Sequence, residues 1–138
     1  MGTRCSKDEE FNYLRILMIV GVGTDLVSVD RVNRLWLRYR DRFCSKVLNH
    51  ADYQWVSNSV PQNGIAKSFA AKEALSKAMG MGRRYPLTWS NIAVLRDCYG
   101  KPFFAFSEPL LTYMADYRIH LSLSDDIGYV LAFVVAEK

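Results

Sequence analysis

Glu73 and Lys77 have the residue types and the spacing that suit phosphate chemistry. They lie four residues apart in an alanine-rich segment typical of a helix, so they share one helix face. Ala66 and Ala70 fall beside them and would let a bulky ligand approach the helix. An ordinary surface ion pair, contributing roughly 0.2–0.5 kcal/mol, explains the spacing of Glu73 and Lys77 equally well.

A second carboxylate, Asp25, follows the apolar and β-branched run Ile16 to Val22. This pattern predicts a buried strand that carries Asp25 at its C-terminal end. Carboxylates suit Mg²⁺, which takes one or two of them together with phosphate and water oxygens. The run contains Gly21 and Gly23, but a dinucleotide-binding fingerprint is excluded, because the third glycine is missing and Asp25 would repel a pyrophosphate.

Two further features could contribute to a ligand site. Gly80 and Gly82 flank Met81 after the alanine-rich segment, and their backbone amides would be accessible to an anion. His120 begins an alternating strand pattern and shares a face with two serines. Taken alone, His120 is a structural or surface histidine, and His50 as the other histidine gives no metal cluster.

The segment from Arg31 to about Leu48 is predicted to be an amphipathic helix with Asp30 as its N-cap. Its apolar face comprises Val32, Leu35, Trp36, Tyr39 and Phe43. The opposite face is a basic ridge formed by Arg31, Arg34, Arg38 and Arg42. Such a ridge fits an acidic partner, a nucleic acid, or a solvated surface without a partner.

The other elements follow from periodicity and turn residues. They are a loop Asn58 to Gly64, a helix Ile65 to Met79, a hairpin of Ile92–Arg96 and Phe103–Phe106, a short helix capped by Ser107, and strands His120–Ser124 and Tyr129–Ala136. The order β-α-α-β-β-α-β-β predicts an α+β fold in a single domain. Residues 1–17 read as an N-terminal extension before a domain at residues 18–138.

Composition narrows the class of protein. The 138 residues are 50% hydrophobic and carry a net charge of +4, as expected for a folded globular domain. The cysteines, Cys5, Cys44 and Cys98, are odd in number and widely spaced, which favours reduced thiols. The longest apolar run is too short to span a bilayer, and acidic residues occupy the place of a signal peptide's basic region. We expect a cytoplasmic protein without a membrane partner.

These features occur together in one family. The sequence resembles the holo-[acyl-carrier-protein] synthases in the segments Ile19-Val20-Gly21-Val22-Gly23-Thr24-Asp25-Leu26-Val27 and Phe69-Ala70-Ala71-Lys72-Glu73-Ala74-Leu75-Ser76-Lys77-Ala78. Gly100-Lys101-Pro102 and His120-Leu121-Ser122-Leu123-Ser124 support the resemblance, which covers Met18 to the C-terminus. It implies a small antiparallel sheet packed with helices, the 4′-phosphopantetheinyl transferase fold, assembled as a trimer with active sites at subunit interfaces.

The resemblance also implies an activity: Mg²⁺-dependent transfer of 4′-phosphopantetheine from coenzyme A to a serine of apo acyl carrier protein, in fatty acid biosynthesis. Asp25 and Glu73 would ligate Mg²⁺, and Lys77 would contact the phosphates and act on the departing 3′,5′-ADP. His120 would lie near the nucleotide end of coenzyme A, with Gly80 and Gly82 as further coenzyme A contacts. The base for the serine stays open between a carboxylate and a metal-bound water.

The carrier protein is acidic, so the basic ridge would steer it to the site through Arg31, Arg34, Arg38 and Arg42. A nucleic-acid-binding module is the alternative, but it leaves the two carboxylates without a role. Ser68, Met81 and Asp125 depart from the residues usual in the family, and the first two put details of nucleotide contact in doubt.

Overall fold

The structure is a computed structural model that describes residues 16–56 and 61–138. Its elements are β1 (Ile19–Ser28), α1 (Val29–Val47), α2 (His50–Val56), α3 (Pro61–Met79), β2 (Ile92–Arg96), β3 (Pro102–Phe106), α4 (Leu110–Tyr113), β4 (Arg118–Asp126) and β5 (Tyr129–Glu137). A turn of 3₁₀ helix, Trp89–Asn91, precedes β2. Cys5, most of the predicted extension 1–17 and part of the predicted loop from Asn58 lie outside the described residues.

Helix α3 packs against the larger sheet, contacts the smaller one and organises the core. β1, β5 and β4 form an antiparallel sheet in that order, and β2 and β3 form a separate hairpin. α3 packs across β1 and β5 and also contacts α1, α2 and β2. The predicted α+β class and the single domain are confirmed.

Two glycines let β1 approach α3 more closely than any other residue would allow. A Cβ atom on Gly21 would overlap the carbonyl oxygen of Ala78, and one on Gly23 would overlap that of Ala74. The prediction that Ala66 and Ala70 let a ligand approach the helix was wrong. Both alanines are fully buried in the core. The alanines that meet β1 at its two glycines are Ala74 and Ala78.

The predicted end of β1 and start of α1 need correction. β1 stays paired with β5 as far as Ser28, so Asp25 lies inside the strand and not at its end. The Ser28 hydroxyl accepts a hydrogen bond from the Arg31 amide at 3.3 Å, and Ser28 is therefore the N-cap in place of Asp30. Asp30 lies in the first turn, where a carboxylate interacts favourably with the helix dipole.

Three other expectations differ from the structure. α2 was not predicted, although Asn49 and Asp52 cap it reciprocally, each side chain accepting from the other's amide at 3.0 and 2.9 Å. α3 begins at Pro61 and not at Ile65, as proline suits a first helical turn. Ser107 does not cap α4, whose N-cap is Pro109.

A buried ion pair joins α2 to α3. Lys72 and Asp52 are both fully buried, with Lys72 Nζ 2.5 Å from Asp52 Oδ2 and 2.7 Å from the Val47 carbonyl oxygen. Asp52 Oδ1 accepts from the Val94 amide of β2. Burial lowers the pKa of Lys72 below its usual range, and the neighbouring Asp52 carboxylate opposes this shift.

Among residues 16–56 and 61–138, the three-stranded sheet has one face covered by other elements and one uncovered face. On β5, the residues Val130, Ala132, Val134 and Ala136 are buried toward α3. The opposite face exposes large apolar side chains: Val22, Leu26, Tyr129, Leu131 and Phe133. A contiguous apolar surface of this kind marks an interaction site.

Cys44 and Cys98 are free thiols, and burial raises the pKa of the Cys44 thiol. Within residues 16–56 and 61–138, no helix has the length and apolar character required to cross a membrane.

Candidate active site

Asp25 reaches the site from the covered face of the sheet. It is paired with buried Ala132 on β5, and residues opposite one another on neighbouring strands share a face. Asp25 Oδ1 lies 3.0 Å from Lys77 Nζ, which also donates to the Thr24 carbonyl oxygen at 2.9 Å. The structure therefore brings together two of the predicted residues from positions 52 apart in sequence.

Glu73 lies one helical turn before Lys77 and forms an ion pair with Arg83. Arg83 donates to Glu73 Oε1 from Nη2 at 2.6 Å and from Nε at 3.2 Å. The Arg83 guanidinium also lies 3.9 Å from the centre of the Trp89 ring. That ring meets Phe69 edge-on, with centroids 5.1 Å apart, and is therefore held in place.

Asp25, Glu73 and Arg83 line a common cavity of about 270 Å³. Its lining combines two carboxylates with two guanidinium groups and apolar side chains, from Asp25, Leu26, Val27, Arg31, Val32, Leu35, Phe69, Glu73 and Arg83. Asp25 and Glu73 thus face a common space, and Arg31 joins them from the first turn of α1. The cavity can hold a cation and an anion side by side.

The donor chemistry of the cavity fits Mg²⁺. Asp25 and Glu73 supply hard oxygen donors, and their side chains retain 16% and 24% of their exposure, enough to accept a ligand from solvent. No cluster of three or more His, Cys, Asp or Glu side chains suited to a metal exists among the described residues. The other coordination positions would therefore fall to water and phosphate, as is usual for Mg²⁺.

Gly80 and Gly82 lie just past Lys77, where α3 ends. Both adopt positive φ, 66° and 61°, which favours glycine, and both are exposed. The Gly80 amide donates to the Lys77 carbonyl oxygen at 3.2 Å, so it serves to end the helix. This contact weakens the predicted role of the Gly80 amide in anion binding.

His120 lies on the face of the sheet opposite to Asp25. It is paired with Val135 on β5, and its Nε2 lies 2.8 Å from Glu137 Oε2. Residues that alternate along β5 point to opposite sides of the sheet, so His120 shares the uncovered apolar face. Within one chain, the structure does not bring His120 together with Asp25.

The predicted basic ridge does not continue along the whole of α1. Arg31, Arg34 and Arg38 are exposed, and Arg34 pairs with Asp30 at 3.2 Å. At Arg40 the backbone leaves the helical conformation, with φ 41° and ψ −121°, so the helical phase is lost. Arg42 lines a separate cavity of about 280 Å³ together with Leu35, Tyr39, Phe43 and Lys46. The placement of Arg42 on a ridge opposite the apolar face was wrong.

The three residues that depart from the family pattern lie in different environments. Ser68 is fully buried in the core, and its hydroxyl has no hydrogen-bond partner within the described chain. Asp125 pairs with Lys67 on α3 at 3.2 Å. Met81 is half-buried between the two glycines.

Arg83 and Trp89 were missed by the sequence analysis. Arg83 follows the glycine turn, where no helical or strand periodicity predicts the direction of a side chain. An arginine over an aromatic ring is a common contact, so Arg83 and Trp89, six residues apart, could have been considered as a pair. The position of the ring depends on tertiary packing, however, and sequence does not give it.

Comparisons with known proteins agree with this fold and site. Residues 21–134 match the model of the 4′-phosphopantetheinyl transferase superfamily, to which the chain belongs. The holo-[acyl-carrier-protein] synthase of Nitrosospira multiformis is 42% identical over 125 residues, covering 88% of this chain and 100% of the relative. Within the superfamily, the protein is therefore an enzyme of the holo-[acyl-carrier-protein] synthase type, as the resemblance implied.

Solved structures place the fold in the same group. A crystal structure of holo-[acyl-carrier-protein] synthase from Neisseria meningitidis matches with a TM-score of 0.83 at 40% identity, covering 88% of this chain and 100% of that one. The Bacillus anthracis enzyme in complex with CoA (3′,5′-ADP) matches with a TM-score of 0.75 at 31% identity, covering 88% and 98%.

Proposed function

We propose that the protein transfers the 4′-phosphopantetheine group of coenzyme A to a serine of apo acyl carrier protein, with Mg²⁺, and releases 3′,5′-ADP. The observation that carries this proposal is the shared cavity of Asp25 and Glu73, which offers a hard-cation site beside basic groups. The coenzyme A complex of the Bacillus anthracis relative supports the choice of substrate. Fatty acid biosynthesis as the pathway and the cytoplasm as the location stay predictions.

The residues of the cavity and the neighbouring Lys77 have separate roles in this proposal. Asp25 and Glu73 would hold Mg²⁺. The bound ion would neutralise negative charge on the diphosphate of coenzyme A. Lys77, whose ammonium group is 3.0 Å from Asp25, would stabilise the negative charge of the departing 3′,5′-ADP. Arg31 lines the same cavity and is placed to contact a phosphate from the α1 side.

We propose that the carrier protein docks on α1 beside this cavity. Arg34 and Arg38 are exposed, and Arg31 connects their surface to the cavity. An acidic partner would be steered there by its charge. Arg42 lines the second cavity, beyond the break in α1, so the proposed surface rests on Arg31, Arg34 and Arg38. The nucleic-acid alternative gains no support, because it leaves the cavity that Asp25 and Glu73 share without a role.

We propose that three chains assemble through the uncovered face of the sheet. Burying Val22, Leu26, Leu131 and Phe133 against copies of the chain would remove apolar surface from water. His120 lies on that face, so assembly would give it a route to the nucleotide in a neighbouring site. Light scattering should then report about three times 15.8 kDa, and a stable, active monomer would contradict the assembly.

Mass spectrometry of apo carrier protein tests the activity. The carrier protein is incubated with the enzyme, coenzyme A and Mg²⁺, and it should gain the mass of one phosphopantetheine. A parallel reaction with a chelator should leave the mass unchanged. Absence of the added mass with several apo carrier proteins, at enzyme concentrations above those of the carrier, would refute the proposal.

A further inference from the structure

Arg83 forms an ion pair with the Glu73 carboxylate, which the proposed Mg²⁺ would also need as a ligand. Both of its hydrogen bonds end on Glu73 Oε1, which can accept two donors, so Oε2 is left to other partners. A guanidinium group cannot be deprotonated in proteins, and it therefore stays positive throughout. A divalent cation on Glu73 would face this positive charge at short range, where repulsion between like charges is strong.

Arg83 also has room to leave Glu73. Its side chain is 60% exposed, against 24% for Glu73, so water can replace the hydrogen bonds that the arginine gives up. Because most of the arginine side chain is in contact with solvent, it can change position without displacing core residues.

The Trp89 ring restricts where Arg83 can go. The guanidinium lies 3.9 Å from the centre of a ring that is 7% exposed and fixed by Phe69. Cation–π attraction holds the group over the ring without fixing its hydrogen-bond partner. Arg83 can therefore exchange partners while it stays at the wall of the cavity, within reach of a ligand there.

We propose that Arg83 is a positioning residue that neutralises Glu73 before the cation binds and then transfers its hydrogen bonds to an anionic oxygen of coenzyme A. The inference rests on the proposed function, because it requires Asp25 and Glu73 to hold the cation. The inference adds an order of events. Binding of the cation to Glu73 would free the Arg83 guanidinium, whose planar arrangement of N–H donors matches phosphate oxygens.

Mn²⁺ binding to the enzyme without coenzyme A tests the first half. Free Mn²⁺ is measured by electron paramagnetic resonance for wild type, Arg83→Met and the matched control Arg84→Met, which removes the same charge one residue later. Arg83→Met should bind Mn²⁺ about two- to fivefold more tightly than the control, the range expected for losing a partly exposed ion pair. Equal affinities of the two variants would overturn the inference.

The arginine Nε–H signals in a ¹H–¹⁵N NMR spectrum test the exchange directly. The Arg83 signal is assigned by its loss in Arg83→Met, and it should shift on titration with Mg²⁺ and again when coenzyme A is added. The shift with Mg²⁺ should be absent in Glu73→Gln, in which the charged partner is removed. An Arg83 signal that is unchanged at saturating Mg²⁺ would overturn the inference.

The two proposals can fail separately. If Asp25→Ala and Glu73→Ala bind Mn²⁺ as wild type does, the metal site is wrong, and the inference about Arg83 falls with it. If those variants lose Mn²⁺ while Arg83→Met equals its control, only the inference about Arg83 is refuted.

Discussion

Two adjacent charged residues of helix α3, Lys72 and Glu73, form ion pairs in very different environments. Lys72 forms an ion pair with Asp52 in which both side chains are fully buried and the partners are fixed by further hydrogen bonds. The next residue, Glu73, pairs with Arg83 at the edge of a cavity, and the arginine keeps most of its exposure. One step along the helix thus separates a pair that holds the fold from a pair that can exchange partners.

The difference follows from what surrounds each charge. A buried pair has no water to replace a lost partner, so its members must stay together once the chain folds. An exposed pair can be solvated or taken over by a ligand at small cost. The same applies to Lys77 and Asp25, whose lysine is 54% exposed. Solvent access, and not residue type, distinguishes the architectural pair from the pairs available for chemistry.

Removing the buried lysine should have the largest effect. Lys72→Met would leave the Asp52 carboxylate buried without its cation and lower the free energy of unfolding by about 3–5 kcal/mol. Urea unfolding at a fixed protein concentration measures this loss. Lys77→Met is the matched control on the same helix, with an expected loss below about 1 kcal/mol. Equal stabilities of the two variants would break the distinction between the pairs.

The carboxylates of the cavity should show the reverse behaviour. Asp25→Ala or Glu73→Ala should reduce Mg²⁺-dependent transfer about a hundredfold or more, because charge stabilisation at phosphate is lost. The free energy of unfolding should change by only about 1 kcal/mol, since both groups are paired with exposed cations. Asp30→Ala removes an exposed carboxylate outside the cavity and serves as the control. Near-normal turnover with unchanged Mg²⁺ dependence would contradict the site.

Exposed arginines outside the cavity should have the smallest effect. Reversing Arg34 and Arg38 to glutamate should raise the Michaelis constant for carrier protein at least several-fold and flatten its salt dependence, because exposed charges act mainly on encounter. The constant for coenzyme A should change little. The double lysine variant preserves the charge and should stay near wild type. Unchanged carrier-protein kinetics at low ionic strength would leave these arginines a solvated surface.

The sequence predicted those parts of the molecule that local geometry determines. The hairpin β2–β3 and the strands β4 and β5 were recognisable from alternation and turn residues. The common face of Glu73 and Lys77 follows from helical spacing alone, and the placement of Asp25 near them is confirmed by its contact with Lys77. The two carboxylates of the cavity were therefore foreseeable, whereas Arg83 on its wall was not.

The parts that depend on distant contacts were not foreseeable. Lys72 and Asp52 are 20 residues apart and join only when α2 and α3 pack, so no local pattern indicates their pairing. The helix α2 spans seven residues and is too short for a clear periodicity. The break in α1 at Arg40 also has no sequence signal, because arginine is an ordinary helix residue.

The contact of Gly21 and Gly23 with α3 has a consequence for reading mutational data. Main-chain atoms of β1 and of the helix meet there directly, so the separation between Asp25 and Glu73 is set by backbone and not by side chains that could be exchanged. A saturation mutagenesis screen for activity would score both glycines as intolerant as the carboxylates themselves. Neither would touch substrate, and assays of thermal stability on the same library would separate these two spacer positions from the residues that act on it.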